Sequence, residues 1–201
     1  MQIRILSIQW LERSDVLRVL QLRQSANYIE GKGTEMSKTL IVIDMQKDFV
    51  DGSLGTAEAV AILDNVKKKI EEYKQRGDEI IFTRDTHGED YMDTNEGKHL
   101  PVVHCVEGTP GWEIYEGLYT EGSDIINKPS FGYTGWGDYN FEEVELIGLC
   151  TDICVISNAL IIKALFPEIK VSVDSSCCAG VTPAKHEAAL ETMRSCQVEV
   201  Q

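Results

Sequence analysis

Short apolar runs alternate with stretches of helical spacing along residues 36–201, and this alternation restricts the fold more than any other feature of the chain. Leu40–Asp44 is a continuous apolar run that ends in a carboxylate, the pattern of a buried parallel strand. In Ala57–Arg76, Val60, Ile62, Leu63, Val66, Ile70 and Tyr73 recur at helical spacing, and Gly77 stops the run. Glu79–Thr83, Asp124–Asn127, Glu143–Leu149, Lys170–Asp174 and Val198–Val200 read as five further strands. Helices are expected over Trp112–Tyr119, Asp152–Phe166 and Pro183–Cys196, the last with proline in its first turn. Residues 84–111 read as a long polar loop holding three of the four histidines.

Strands alternating with helices imply an α/β fold, a doubly wound six-stranded parallel sheet with helices on both faces. Right-handed crossovers limit the strand orders, and the expected one is 3-2-1-4-5-6. Ligands of such sheets bind at the carboxyl ends of the strands, where the order reverses. Asp44 closes the first strand and Cys154 opens the helix after the fourth, so both belong at that point.

Composition removes several classes of function. The 201 residues carry a net charge of −14, which opposes binding to nucleic acid phosphates or to an anionic membrane surface. No apolar run reaches the roughly 18 residues of a membrane span. The six cysteines form no C-x-x-C pair, so free thiols in a reducing cytoplasm are expected rather than a zinc ribbon. The charge is uneven. Residues 1–35 hold five basic and four acidic side chains, leaving 14 basic against 29 acidic in residues 36–201. Leu11–Leu22 has the spacing of a short amphipathic helix, broken as a signal peptide by Glu12, Arg13, Asp15 and Arg18. Met36 stands directly before the first strand, and Glu30–Gly33 matches purine-rich codons of a ribosome-binding site. Residues 1–35 are therefore read as an N-terminal extension upstream of the native start. The competing reading is a real helix that packs on the domain 36–201 or on a partner.

Three residues at strand ends could carry chemistry together. Gly148–Val155 runs from a strand end into a helix start, which Thr151 or Asp152 could cap. Cys154 then lies in the first turn, where the helix end would lower its thiol pKa and free N–H groups could hold an oxyanion. Alone, a buried packing cysteine is the commoner fate. Asp44 changes the balance, because a carboxylate after four apolar residues is costly to bury without a partner. Lys128 follows the third strand and would supply a cation. Its plain alternative is a solvated loop lysine.

With these residues in place, the chain resembles the isochorismatase-like cysteine hydrolases, and within them the nicotinamidase and pyrazinamidase branch. The resemblance rests on Ile41–Phe49, Thr83–His87, His104–Gly111, Lys128 and Gly148–Val155, in order along Leu40–Val200. It implies a Cys-Asp-Lys triad of Cys154, Asp44 and Lys128. It also implies a cis peptide at Leu149–Cys150 and an oxyanion hole from the Cys150 and Cys154 N–H groups. Asp85, His87 and His104 match the branch's metal ligands, and Glu96 stands at the spacing of a fourth; His99 fits less well, and His186 is expected at the surface. The implied cofactor is a divalent metal, zinc first, with manganese or iron as alternatives. The implied reaction is hydrolysis of a small carboxamide, nicotinamide to nicotinate and ammonia through a thioester, within NAD salvage. The implied assembly is a homo-oligomer. Other amides, ureido compounds, isochorismate, or a silent binding role remain the alternatives. One departure is plain: Leu100–Val103 before His104 lacks the aromatic residue the branch uses for ring stacking. Phe49 matches a second stacking position, and Phe131, Tyr133 and Trp136 are the further candidates.

Overall fold

The computed structural model describes residues 38–201. The expected N-terminal helix within residues 11–22 lies outside the described residues. Six strands form one parallel sheet: β1 (Lys38–Ile43), β2 (Glu79–Asp85), β3 (Asp124–Lys128), β4 (Glu143–Leu149), β5 (Lys170–Ala179) and β6 (Glu199–Val200). Their order is β3-β2-β1-β4-β5-β6, the expected one. Strand β1 is central. It pairs with β2 through Ile41↔Ile81 and with β4 through Ile41↔Leu146.

Six helices accompany the sheet: α1 (Lys47–Val50), α2 (Ala57–Ala61), α3 (Leu63–Arg76), α4 (Asn95–His99), α5 (Ile156–Leu165) and α6 (Pro183–Ser195). The two-residue period of β1 divides the core between its faces. Ile41 and Ile43 pack with Ala159 and Ile162 of α5 and with Leu190 and Met193 of α6. Leu40 and Val42 pack on the other face with Val66, Ile70 and Tyr73 of α3. These α3 residues recur at helical spacing, so one stripe meets the sheet. Gly77 ends α3 in the left-handed conformation, with φ of 74°, and its N–H returns to the Lys74 carbonyl.

Three local expectations differ from the structure. The helix expected over Ala57–Arg76 is two, α2 and α3, separated at Ile62. No helix forms at Trp112–Tyr119. There the backbone is engaged by the segment after β1: Lys47 N–H donates to the Glu113 carbonyl and Tyr115 N–H to that of Met45, which leaves these groups unavailable for helical bonds. Strand β5 continues five residues past Asp174, because its pairing with β4 shifts register between Leu146 and Gly148 and then resumes at Gly148↔Cys178. Within 84–111 the chain is also more ordered than a plain loop. Tyr91–Asp93 forms a 3-10 turn and Thr94 caps α4, its hydroxyl accepting from Gly97 N–H at 3.0 Å.

The architecture brings the ends of β1, β2, β3 and β4 to one edge of the sheet. Gly148, with φ of 118°, permits the tightest approach there, since a Cβ at this position would run into the Ile43 carbonyl oxygen. All six cysteines are free, and among the described residues no helix is long and apolar enough to cross a membrane.

Candidate active site

Asp44 immediately follows β1 and is fully buried. Its φ of 46° is unusual for a residue other than glycine and turns the chain sharply at the strand end. Thr83 of β2 holds it twice, donating from Oγ1 to Oδ1 at 2.6 Å and accepting from the Asp44 N–H at 3.2 Å. Lys128, the last residue of β3, is also fully buried. Its Nζ lies 2.7 Å from Asp44 Oδ2, 3.2 Å from Asp85 Oδ1 and 3.6 Å from Cys154 Sγ, and donates to the Ser130 carbonyl at 3.1 Å. The 2.7 Å contact is a buried ion pair between Lys128 and Asp44 Oδ2.

Cys154 sits in a turn of π-helix, Thr151–Val155, that precedes α5. The peptide Leu149–Cys150 is cis. Cys150 opens the turn, its carbonyl accepting from the N–H groups of Ile153 and Val155. Neither Thr151 nor Asp152 caps the turn. Thr151 Oγ1 instead meets Nδ1 of His186 at 2.8 Å, and Asp152 Oδ1 accepts from Val181 N–H at 2.9 Å. His186 is thus half-buried against the turn, a correction to its expected place at the surface.

The electrostatics of the thiol also depart from expectation. Burial pushes the Cys154 thiol well above its ordinary value, Asp44 pushes it further, and Lys128 opposes them with less effect. Burial likewise raises the Asp44 carboxyl, opposed chiefly by the charge of Lys128. Lys128 loses from burial but gains more from Asp44, Cys154 and Asp85, and remains a cation.

Asp85 closes β2 and divides its carboxylate between two groups. Oδ1 faces Lys128; Oδ2 faces Nε2 of His87 at 3.1 Å and Nε2 of His104 at 3.8 Å. Burial acts to raise this carboxyl, but hydrogen bonds from His104 and His87 and the charge of Lys128 outweigh it and hold it well below the usual range. Glu96 of α4 completes the cluster, 3.8 Å from both imidazoles. The donor atoms of Asp85, His87, Glu96 and His104 all lie within 4.8 Å of one another. His104 binds the Val102 carbonyl through Nδ1 at 2.8 Å, which fixes the ring with Nε2 toward the cluster. Two imidazoles and two carboxylates in this arrangement fit a divalent cation. His99 stays outside the group, its Nδ1 against the Asn95 carbonyl.

The thiol and the four donors line one cavity of about 750 Å³. Phe49 and Phe131 belong to its wall. Tyr133 and Trp136, expected as substrate-stacking rings, do not. Trp136 is fully buried in the core, with its indole N–H on Asn158 Oδ1 at 2.8 Å, and Tyr133 packs edge-on against it. Aromatic rings near the third strand were sound candidates by type, but the buried acceptor on α5 draws both away from the cavity.

Asn158 is one of three positioning residues that spacing did not reveal. It is fully buried and donates to the carbonyls of Cys154 at 2.8 Å and Phe131 at 3.1 Å. A lone amide inside the apolar run of α5 was the available signal. Gln46 bridges the end of β2, accepting from Asp85 N–H at 2.7 Å and donating to the Asp85 and Trp112 carbonyls, each at 2.8 Å. Gln46 and Thr83 both lie in stretches that carry the resemblance, but nothing there marked their bonds to Asp85 and Asp44.

The chain is similar to known proteins along its described length. The family model described as the isochorismatase domain matches residues 38–201. A nicotinamidase/pyrazinamidase from Mycobacterium tuberculosis is 29% identical over 190 residues, covering 81% of this chain and 97% of that protein. The crystal structure of a pyrazinamidase from Pyrococcus horikoshii in complex with zinc has a TM-score of 0.72 and 29% identity, covering 82% of this chain and 98% of that one. That of a nicotinamidase/pyrazinamidase from Bacillus subtilis has a TM-score of 0.73 and 27% identity, covering 82% and 99%.

Proposed function

This chain belongs to the isochorismatase family, and from that premise we propose that it is a cysteine-dependent amidohydrolase that converts nicotinamide to nicotinate and ammonia. The observation that carries the reading is the buried trio of Asp44, Lys128 and Cys154 beside a four-donor metal cluster in one cavity.

Asp44 is the base. Its carboxylate takes the Cys154 proton as the sulfur attacks the amide carbonyl, so the thiolate forms in the course of attack. Lys128, in contact with both groups, offsets the charge on whichever of them holds it. The Cys150 and Cys154 N–H groups receive the carbonyl oxygen as it becomes an oxyanion. Asp44 returns the proton to departing ammonia, and water then cleaves the thioester. Phe49 and Phe131 provide apolar walls for the ring. A divalent ion, zinc first by its donor set, would be held by Asp85, His87, Glu96 and His104 and would supply a Lewis-acidic anchor for the heteroaromatic nitrogen.

The cavity volume also favours a second reading. A benzene-sized ligand occupies roughly 150 Å³, and the cavity is about 750 Å³. A bulkier carboxamide or a ureido compound fits the same machinery. Ammonia release from a panel holding nicotinamide, pyrazinamide, larger aryl carboxamides and ureido acids decides between them. No release from any would leave a binding protein of the same fold.

Two further results are expected. The purified protein should carry about one divalent ion per chain by elemental analysis, and His87→Ala should lose both the ion and most hydrolysis of pyridine carboxamides. The Cys154 thiol should still alkylate in that variant, because its partners are Asp44 and Lys128. A metal-free protein with unchanged turnover would move the assignment to metal-independent amide hydrolysis. For the N-terminus, residues 36–201 alone should remain folded and turn over the same substrate at a similar rate. Insolubility of that truncation would place residues 1–35 within the native protein.

A further inference from the structure

The two side chains at the head of the π-helical turn would ordinarily cap it. Here both reach outward to the junction of β5 and α6. Thr151 is fully buried, and its hydroxyl has a single side-chain partner, Nδ1 of His186 at 2.8 Å. Asp152 accepts from Val181 N–H. Gly180 lies between them: a Cβ there would meet Asp152 Oδ1 at 2.8 Å and His186 N at 2.9 Å, so backbone sits directly on backbone. His186 itself is held in α6 by the Thr182 carbonyl, four residues earlier. The turn is therefore fastened at its first residue to helix α6.

We propose that His186 is a positioning residue for acyl transfer: through Thr151 it fixes the turn that presents the Cys150 and Cys154 N–H groups to the oxyanion. Its bond to Thr151 works in either direction, hydroxyl to Nδ1 or Nδ1–H to hydroxyl, and the geometric constraint is the same. The proposal rests on the acyl-transfer reading above, though not on nicotinamide as the substrate.

The test separates two reactions of one sulfur. Iodoacetamide alkylates Cys154 by displacement at carbon and forms no oxyanion. p-Nitrophenyl acetate acylates it: the sulfur bonds to the acetyl carbon, the carbon–oxygen bond breaks, and p-nitrophenolate leaves after the carbonyl oxygen has carried negative charge. His186→Ala should slow acylation by about 10–100-fold, part of the roughly 10²–10³-fold that a lost oxyanion donor costs. Alkylation at the same pH should stay within about twofold. His186→Asn places a nitrogen or oxygen where Nδ1 stood and should restore acylation; His186→Gln imitates Nε2 and should not. Thr151→Val keeps the buried shape, should reproduce the loss, and should add nothing when combined with His186→Ala. On amide substrates the loss should fall on kcat and leave KM nearly unchanged. Equal slowing of both reactions, or rescue by glutamine as complete as by asparagine, would overturn the proposal. Acylation of the wild type without nicotinamide turnover would instead remove nicotinamide and leave His186 in its role.

Discussion

Cys154→Ala should lower amide hydrolysis by at least about 10⁴-fold, the scale on which removal of a nucleophile acts when it works as a unit with its base. No second thiol can replace it. Cys150 also lines the cavity, but its thiol is pushed up to about 12, by burial first and then by Asp152 and Asp44, with Lys185 opposing them least. The fold should survive. The side chain is small and buried, and losing one sulfur costs about 1 kcal/mol of packing. Ammonia release together with a thermal melt measures both effects. Wild-type turnover in this variant would eliminate the thioester route, and a collapsed fold would assign Cys154 to structure.

Lys128→Met should be the more damaging change, because it acts on stability and on chemistry at once. Nζ lies within 3.2 Å of two buried carboxylates, and a methionine of similar volume leaves both without their cation. Removing one member of a buried ion pair costs about 3–5 kcal/mol. Without the lysine charge that opposes burial, the Asp44 carboxyl rises further, holds its proton near neutral pH and cannot act as a base. Turnover should fall by about 10²–10⁴-fold, the usual range for lost acid–base catalysis. The pH dependence has a definite sign. A carboxyl whose folded pKa lies above its unfolded value binds its proton more tightly in the native state, so stability is lost as pH rises through that window. The deficit of the variant should thus be largest at neutral pH and shrink as pH is lowered. Urea unfolding at two pH values tests this, and a deficit that grows toward acid would show that Asp44 is not the group left exposed to the change.

What could be foreseen from residue order was whatever depends on periodicity and on strand ends. Leu40–Ile43 specified a strand buried on both sides, and the sheet order followed from the alternation of elements. Asp44 and Lys128 could be placed at the sheet edge because each follows an apolar run, and Cys154 because a helix opens there after the fourth strand; Asp85 came only with the family resemblance. Side-chain direction could not be foreseen. Tyr133 and Trp136 turn into the core because Asn158 supplies acceptors there, and those acceptors belong to a helix more than 20 residues away. Thr151 and Asp152 had the right types and positions for caps, yet both are used across the fold. The environment of the thiol is legible only in part for a similar reason: the helix end is visible in the sequence, while the burial that raises the thiol is a property of packing.

The central position of β1 has a consequence for how the chain is made. This strand precedes the other five in synthesis, yet it occupies the middle of the sheet. Its partner on one side, β2, begins 40 residues later at Glu79, opposite Thr39. Its partner on the other side, β4, meets Ile41 through Leu146, 105 residues further on. At roughly 5–20 residues per second of translation, that flank of β1 stays open for about 5–20 s. A strand with four consecutive apolar residues, Leu40–Ile43, and an unpaired edge is a template for wrong partners during that interval. The nascent half-sheet is therefore the species most exposed to mispairing in the life of this protein.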